Sequence, residues 1–149
     1  MPKKKHIDPE VERYYRKFPK FPGLAKCVEL LHSRNVRGSY LDTILYEIRI
    51  HAETYLNELI AHIRNDDSHV GTWLLAQLAE ARLPDAEGFF IECLQSTDSR
   101  RRYWAIIGLK DLDTKSSRQA LWYARQYVFD TPEATEEFRR TIDSQMDWS

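Results

Sequence analysis

Five histidines, two cysteines, four tryptophans and a run of three arginines carry most of the chemical potential of this chain. His62, Asp66, Asp67 and His69 crowd into one short stretch and contain the atoms of a metal or acid–base site. Their spacing matches no established ligand pattern, such as a histidine pair four residues apart on one helical face. A helix end followed by a turn accounts for them. Cys27 and Cys93 stand far apart inside apolar segments and read as two buried free thiols of a reducing compartment, not as a staple or metal site. The five glycines are scattered, and no phosphate-cradling loop, nucleophile elbow or Cys–His arrangement occurs. The residues therefore predict no catalytic site, no metal and no cofactor, and a chain that is not an enzyme.

A second set of residues suggests binding. Tyr40, Trp73 and Trp104 are each followed seven positions later by an acid: Glu47, Glu80 and Asp111. Seven residues is close to two helical turns, so each aromatic and its acid share a face. If the three segments stack, a row of aromatics lies beside a row of carboxylates, which Glu136 and Asp143 could extend. Exposed aromatics make protein hot spots, and the acids would favour a basic partner. The other reading makes the tryptophans core and the acids a solvated face. Arg100, Arg101 and Arg102 form the densest basic cluster and have the charge to grip phosphates. Flanking acids offset them, and the whole chain carries a net charge of −1, so composition argues against a nucleic-acid partner.

These residues need elements to position them. Asp8 and Pro9 form an N-cap and first-turn pair that opens a helix through about Lys17, and the prolines of Phe18–Gly23 end it. Paired helices follow: Leu24–His32 with Ser39–Ile50, Glu53–Arg64 with Ser68–Arg82, Pro84–Gln95 with Ser99–Leu112, and Thr114–Phe129 with Thr131 to about Met146. Asp67 and Asp98 supply side-chain oxygens for N-caps, and Pro132 suits a first helical turn. Loops are short and almost nothing alternates with period two, so the fold class is all-α, with eight to nine helices stacked as antiparallel hairpins. Trp148 either folds back on the last helix or frays.

An internal echo orders the pairs. Moving back 31 positions places Asp98, Ser99, Trp104 and Leu109 on Asp67, Ser68, Trp73 and Leu78, with Leu94 on Ile63 and Ile91 on Ile60. A fixed period of this size marks a stacked repeat, each unit buried against its neighbours. The first unit matches at an offset of 33 through Tyr40 and Glu47.

The stretch Asp98–Asp113 resembles a HEAT-type repeat: an acidic turn, an arginine at Arg102, a small residue at Ala105 and a leucine at Leu109. The copy before it departs, with Val70 kept but Gly71 in place of the arginine; in the later copy Arg101 replaces the valine. The resemblance covers roughly residues 57–125. It implies a short α-solenoid in which the second helix of each pair lines the concave side, and in which Arg102 pairs with a neighbouring turn acid while Arg100 and Arg101 stay solvated. Small HEAT-like proteins of this size resemble bacterial immunity proteins, which neutralise a toxin by occluding it. The expected function is a non-catalytic protein-binding module of that kind, holding a basic, nuclease-type toxin through Tyr40, Glu47, Trp73, Glu80, Trp104 and Asp111. HEAT-like alkylpurine DNA glycosylases and bilin-lyase-type scaffolds are the alternatives.

At 149 residues the chain is expected to be one domain, with Met1–Ile7 as a basic tail. There is no apolar run of bilayer length and no leader pattern, so a cytoplasmic protein with no membrane partner and no small-molecule substrate is expected.

Overall fold

The computed structural model describes residues 8–149; the expected basic tail, 1–7, lies outside the described residues. The described residues form nine α-helices, one 3₁₀ turn and no strand. The helices are α1 (Pro9–Lys17), α2 (Leu24–Leu31), α3 (Gly38–Ile50), α4 (Leu56–Asn65), α5 (His69–Ala81), α6 (Glu87–Cys93, led in by the turn Pro84–Ala86), α7 (Ser99–Leu112), α8 (Lys115–Ala124) and α9 (Pro132–Gln145). The chain is all-α, as its periodicity requires.

Helix starts follow the local chemistry. Asp8 accepts the Glu10 N–H ahead of Pro9, Asp98 accepts the Arg100 N–H, and Thr131 accepts the Ala134 N–H ahead of Pro132. At α5 the cap is Ser68, not the expected Asp67: the Ser68 hydroxyl accepts the Val70 N–H while Asp66 accepts from Ser68. Thr114 and Ser117 form a reciprocal capping box on α8. Three boundaries differ from expectation by three residues or more, one of them the start of α6 at Glu87, where Pro84–Ala86 form a 3₁₀ turn instead. The fourth helix begins at Leu56, because residues 51–55 turn to bury Ala52 and set Tyr55 against Phe21. The eighth ends at Ala124, because Phe129 leaves the helical path to meet Phe138, with ring centroids 4.9 Å apart.

Packing sorts the helices into two rows. In one, α1, α3, α5, α7 and α9 each lie against the next; in the other, α2 and α4 pack on α3 and α5, and both α6 and α8 pack on α7. Polar contacts link the second row along its edge: His32 to Asp66 at 2.8 Å, Arg64 to Glu92 at 2.8 Å, and Thr114 and Ser116 to Glu87. Helix α5 lies between α3 and α7 with α4 against it, so Val70, Leu74, Leu75 and Leu78 are wholly buried. Each such side chain contributes about 1.5–3 kcal/mol over leaving it in water. Gly108 sets the α6–α7 distance, since a Cβ there would stand 2.8 Å from the Phe90 ring. Both cysteines are buried free thiols, and burial pushes each up to about 12. Trp148 folds back: its ring meets Trp122 edge-on at 5.1 Å and its Nε1 donates to Asp143 at 3.0 Å.

Candidate functional site

The outward faces of α3, α5 and α7 form the candidate site, and burial determines which residues reach it. Positions 40, 43, 44 and 47 of α3 are buried, as are 71, 74, 75 and 78 of α5 and 102, 105, 106 and 109 of α7. The step is 31 throughout. Counted that way, Trp73 and Trp104 correspond to Asp42, and Glu80 and Asp111 correspond to Arg49.

Tyr40 and Glu47, expected on this face, therefore do not reach it. Both are core residues, 6% and 8% exposed, on the stripe that faces the stack. The cause is α1, which packs on α3 and covers them. Tyr14 meets the Tyr40 ring at 5.5 Å, and the Tyr15 hydroxyl donates to Glu47 Oε1 at 2.6 Å. Glu47 is also approached by His51 Nδ1 at 3.4 Å, and His51 in turn stacks on Phe21.

The remaining four predicted residues lie at or near the surface. Trp73 and Trp104 are half-buried, with one side against the core, so each tryptophan belongs in part to both readings. Glu80 is exposed and accepts from Arg49 Nη1 at 2.5 Å, which ties α5 to α3. Asp111 is half-buried and has no hydrogen-bond or ion-pair partner. The extension of the acidic row fails: Asp143 accepts from Arg125 Nε at 2.7 Å, and Glu136 pairs with Arg140 at 2.7 Å within α9. The Arg125 guanidinium at Asp143, aided by Trp148, holds that carboxyl below the usual range against a smaller opposing effect of burial. The row at this level runs Arg49, Glu80, Asp111, with mixed charge.

Three residues of this face were missed in the sequence. Tyr46, Ile50 and Tyr103 are exposed by 46%, 51% and 42%, and the Tyr103 ring lies 5.3 Å from that of Trp104. The signal was present: Tyr46 and Ile50 fall off the stripe defined by Tyr40, Ile44 and Ile48.

The arginine cluster has a different use from the one the resemblance implied. Arg101 and Arg102 are buried, at 9% and 7% exposure, and neither pairs with a turn acid. Arg102 Nη1 donates to the Ser96 carbonyl at 2.8 Å, at the end of its own unit's first helix. Arg101 reaches back one unit, donating from Nη1 to the Ile63 carbonyl at 2.8 Å and from Nη2 to the Asp66 carbonyl. Only Arg100 is solvated, beside Asp98. These guanidiniums bind carbonyls at helix C-termini, where the macrodipole also favours a cation.

The histidine–aspartate stretch is dispersed. Asp66 pairs with His32, His62 lies 3.9 Å from Glu58, and His69 packs edge-on against Trp73. Among the described residues no group of three His, Cys, Asp or Glu is placed to hold a metal. Nor is any helix among them long and apolar enough to cross a membrane. Comparison with family models, with curated proteins and with solved structures gives no match for this chain.

Proposed function

We propose that this chain is a non-catalytic, HEAT-like protein-binding module that holds a protein partner on the outward face of α3, α5 and α7. The observation that carries the reading is the row of exposed and half-exposed apolar side chains on consecutive helices: Tyr46 and Ile50, then Trp73, then Tyr103 and Trp104. Aromatic rings anchored on rigid helices lose little entropy on binding and are the side chains that dominate interface energetics. Within that class, an immunity-type inhibitor of a basic toxin, acting by occlusion, is the specific reading. It is supported by charge, since residues 41–149 hold twelve Lys and Arg against nineteen Asp and Glu, and by the unpartnered Asp111. A cytoplasmic location goes with it.

Affinity capture from the native host with wild type and a Tyr46→Ser/Tyr103→Ser variant tests the reading. A partner retained by wild type should be lost, with affinity reduced about tenfold or more. Asp111→Lys should weaken capture of a basic partner and flatten its salt dependence. Equal retention of every protein by all three chains would rule the surface out.

One observation favours a nucleic-acid partner instead. Residues 1–40 hold ten Lys and Arg against four Asp and Glu, and Lys20, Arg34 and Arg37 are exposed without an ion pair. A gel shift with duplex DNA at low salt discriminates: no retardation at micromolar protein removes that alternative.

A further inference from the structure

Arg102 has donors that the fold does not use. It is buried, its guanidinium lies 4.4 Å from the Phe129 ring centroid, and its one hydrogen bond is the Nη1 contact to the Ser96 carbonyl. Among the described residues, the fully buried side-chain polar atoms without a hydrogen-bond partner are Tyr14 Oη and Thr72 Oγ1. Nε and Nη2 of Arg102 are not among them, so they are not fully enclosed, and neither makes a hydrogen bond. Arg102 lines a cleft of ≈ 490 Å³ between the α6–α7 loop, the start of α7 and the α8–α9 loop. Tyr127, Val128 and Phe129 give it an apolar wall, and Gln95, Thr97 and Thr131 give it hydrogen-bonding groups. Two carboxylates stand nearby without pairing: Asp130 lines the cleft, and Glu137 lines a gap of ≈ 50 Å³ that Arg102 borders on its α9 side.

We propose that this cleft is a binding site for a carboxylate-bearing ligand, gripped by Arg102. Stacking on Phe129 occupies one face of the guanidinium and leaves its in-plane N–H groups free, and that planar fork matches a carboxylate bidentately. A desolvated cation with no counter-ion is costly, and an arriving carboxylate removes the cost. A phosphate dianion fits less well, since a single cation faces it and Asp130 repels it. The volume lies in the range of small-ligand sites, and the apolar wall takes the body of the ligand. The carboxylate can come from a free small acid or from the C-terminus of a peptide.

Titration of the full chain in heteronuclear NMR tests the site, with benzoate as probe, benzamide as its neutral isostere, and a short peptide carrying either a free or an amidated C-terminus. Benzoate should shift the Arg102 Nε–H and the Thr97 and Phe129 amides saturably in the millimolar range, and benzamide should not. Arg102→Gln should abolish the shifts, with signal dispersion reporting that it folds. Asp130→Asn, at an exposed position that leaves folding alone, should tighten benzoate about threefold by removing a like charge. Tighter binding of the free-terminus peptide than of benzoate assigns the site to a protein tail; binding of benzoate alone assigns it to a small acid. No saturable shift with any carboxylate, equal shifts with benzamide, or an Asp130→Asn variant that binds benzoate no more tightly would each overturn the proposal.

Discussion

The guanidinium of Arg101 occupies the space that a side chain at residue 71 would fill. A Cβ built on Gly71 collides with Arg101 Nη2 and with the Asp66 carbonyl oxygen that Nη2 binds. The two residues lie in adjacent repeats, and together they explain a departure that the sequence displayed without a reason. In the α6–α7 unit, Arg102 binds the end of the preceding helix of its own unit, at Ser96. In the α4–α5 unit the equivalent position is Gly71, and the end of α4 is bound by an arginine from the next unit. The end of the first helix is bound by an arginine in both units, from within the unit in one and from the next unit in the other, and the glycine makes room for the second arrangement.

Gly71→Ala should destabilise the chain by about 2–4 kcal/mol, because both colliding atoms are held in place. Arg101→Met, which strands the Asp66 carbonyl and takes one of two donors from the Ile63 carbonyl, should cost about 1–3 kcal/mol. The double variant should cost clearly less than the sum, since both changes break one contact. Urea denaturation of the four chains measures this; additive losses would mean that the two residues act separately.

Gly108→Ala should cost about 1–3 kcal/mol through overpacking. Three atoms of the Phe90 ring stand 2.8 Å from where an alanine Cβ would sit, so a ring flip gives no relief. Phe90→Leu on the alanine background should recover part of the loss, and thermal melts give the comparison.

Arg82 and Asp113 end α5 and α7 in the left-handed region, with φ of 54° and 49°, one repeat step apart. Non-glycine residues bear a steric penalty there. Arg82→Gly, at an exposed position, should therefore stabilise the chain by about 0.5–1 kcal/mol. A lower denaturation midpoint in this variant would show that Arg82 makes a compensating contact.

Asp66 should contribute an acid-sensitive share of stability. Burial raises its carboxyl, but hydrogen bonds from the Ser68 hydroxyl and N–H and from His32 outweigh it, so the group sits below its ordinary 3.8. A depressed carboxylate favours the folded state above the unfolded value, and that contribution is lost as pH falls through the folded value. Asp66→Asn should thus be less stable than wild type at neutral pH by about 1–2 kcal/mol, with the gap closing below pH of about 4. A gap constant from neutral pH to strong acid would contradict this assignment.

The all-α class, the helix pairs and the step of 31 were legible in the amino-acid sequence because they rest on local chemistry. Caps such as Asp98 and Thr131, the prolines, and the 3.6-residue apolar stripe act within one helix and need no partner. The ends of α8 and the start of α4 were not legible, since Phe129 and Ala52 leave helical geometry for contacts made elsewhere in the chain. The candidate surface shows the same division. Trp73 and Trp104 lie one repeat step apart and the sequence placed them on one face, whereas Tyr40 and Glu47 shared their seven-residue spacing but not their setting. Spacing alone states which residues share a face of a helix. Which face meets a neighbour depends on what packs there, and it took α1, folding against α3 across the proline turn, to bury Tyr40 and Glu47 and leave Tyr46 and Ile50 in the open. The tertiary structure likewise gave Arg101 its partner in the preceding repeat and left Arg102 lining a cleft, because carbonyls at a helix end are claimed by whichever cation the packing brings within reach.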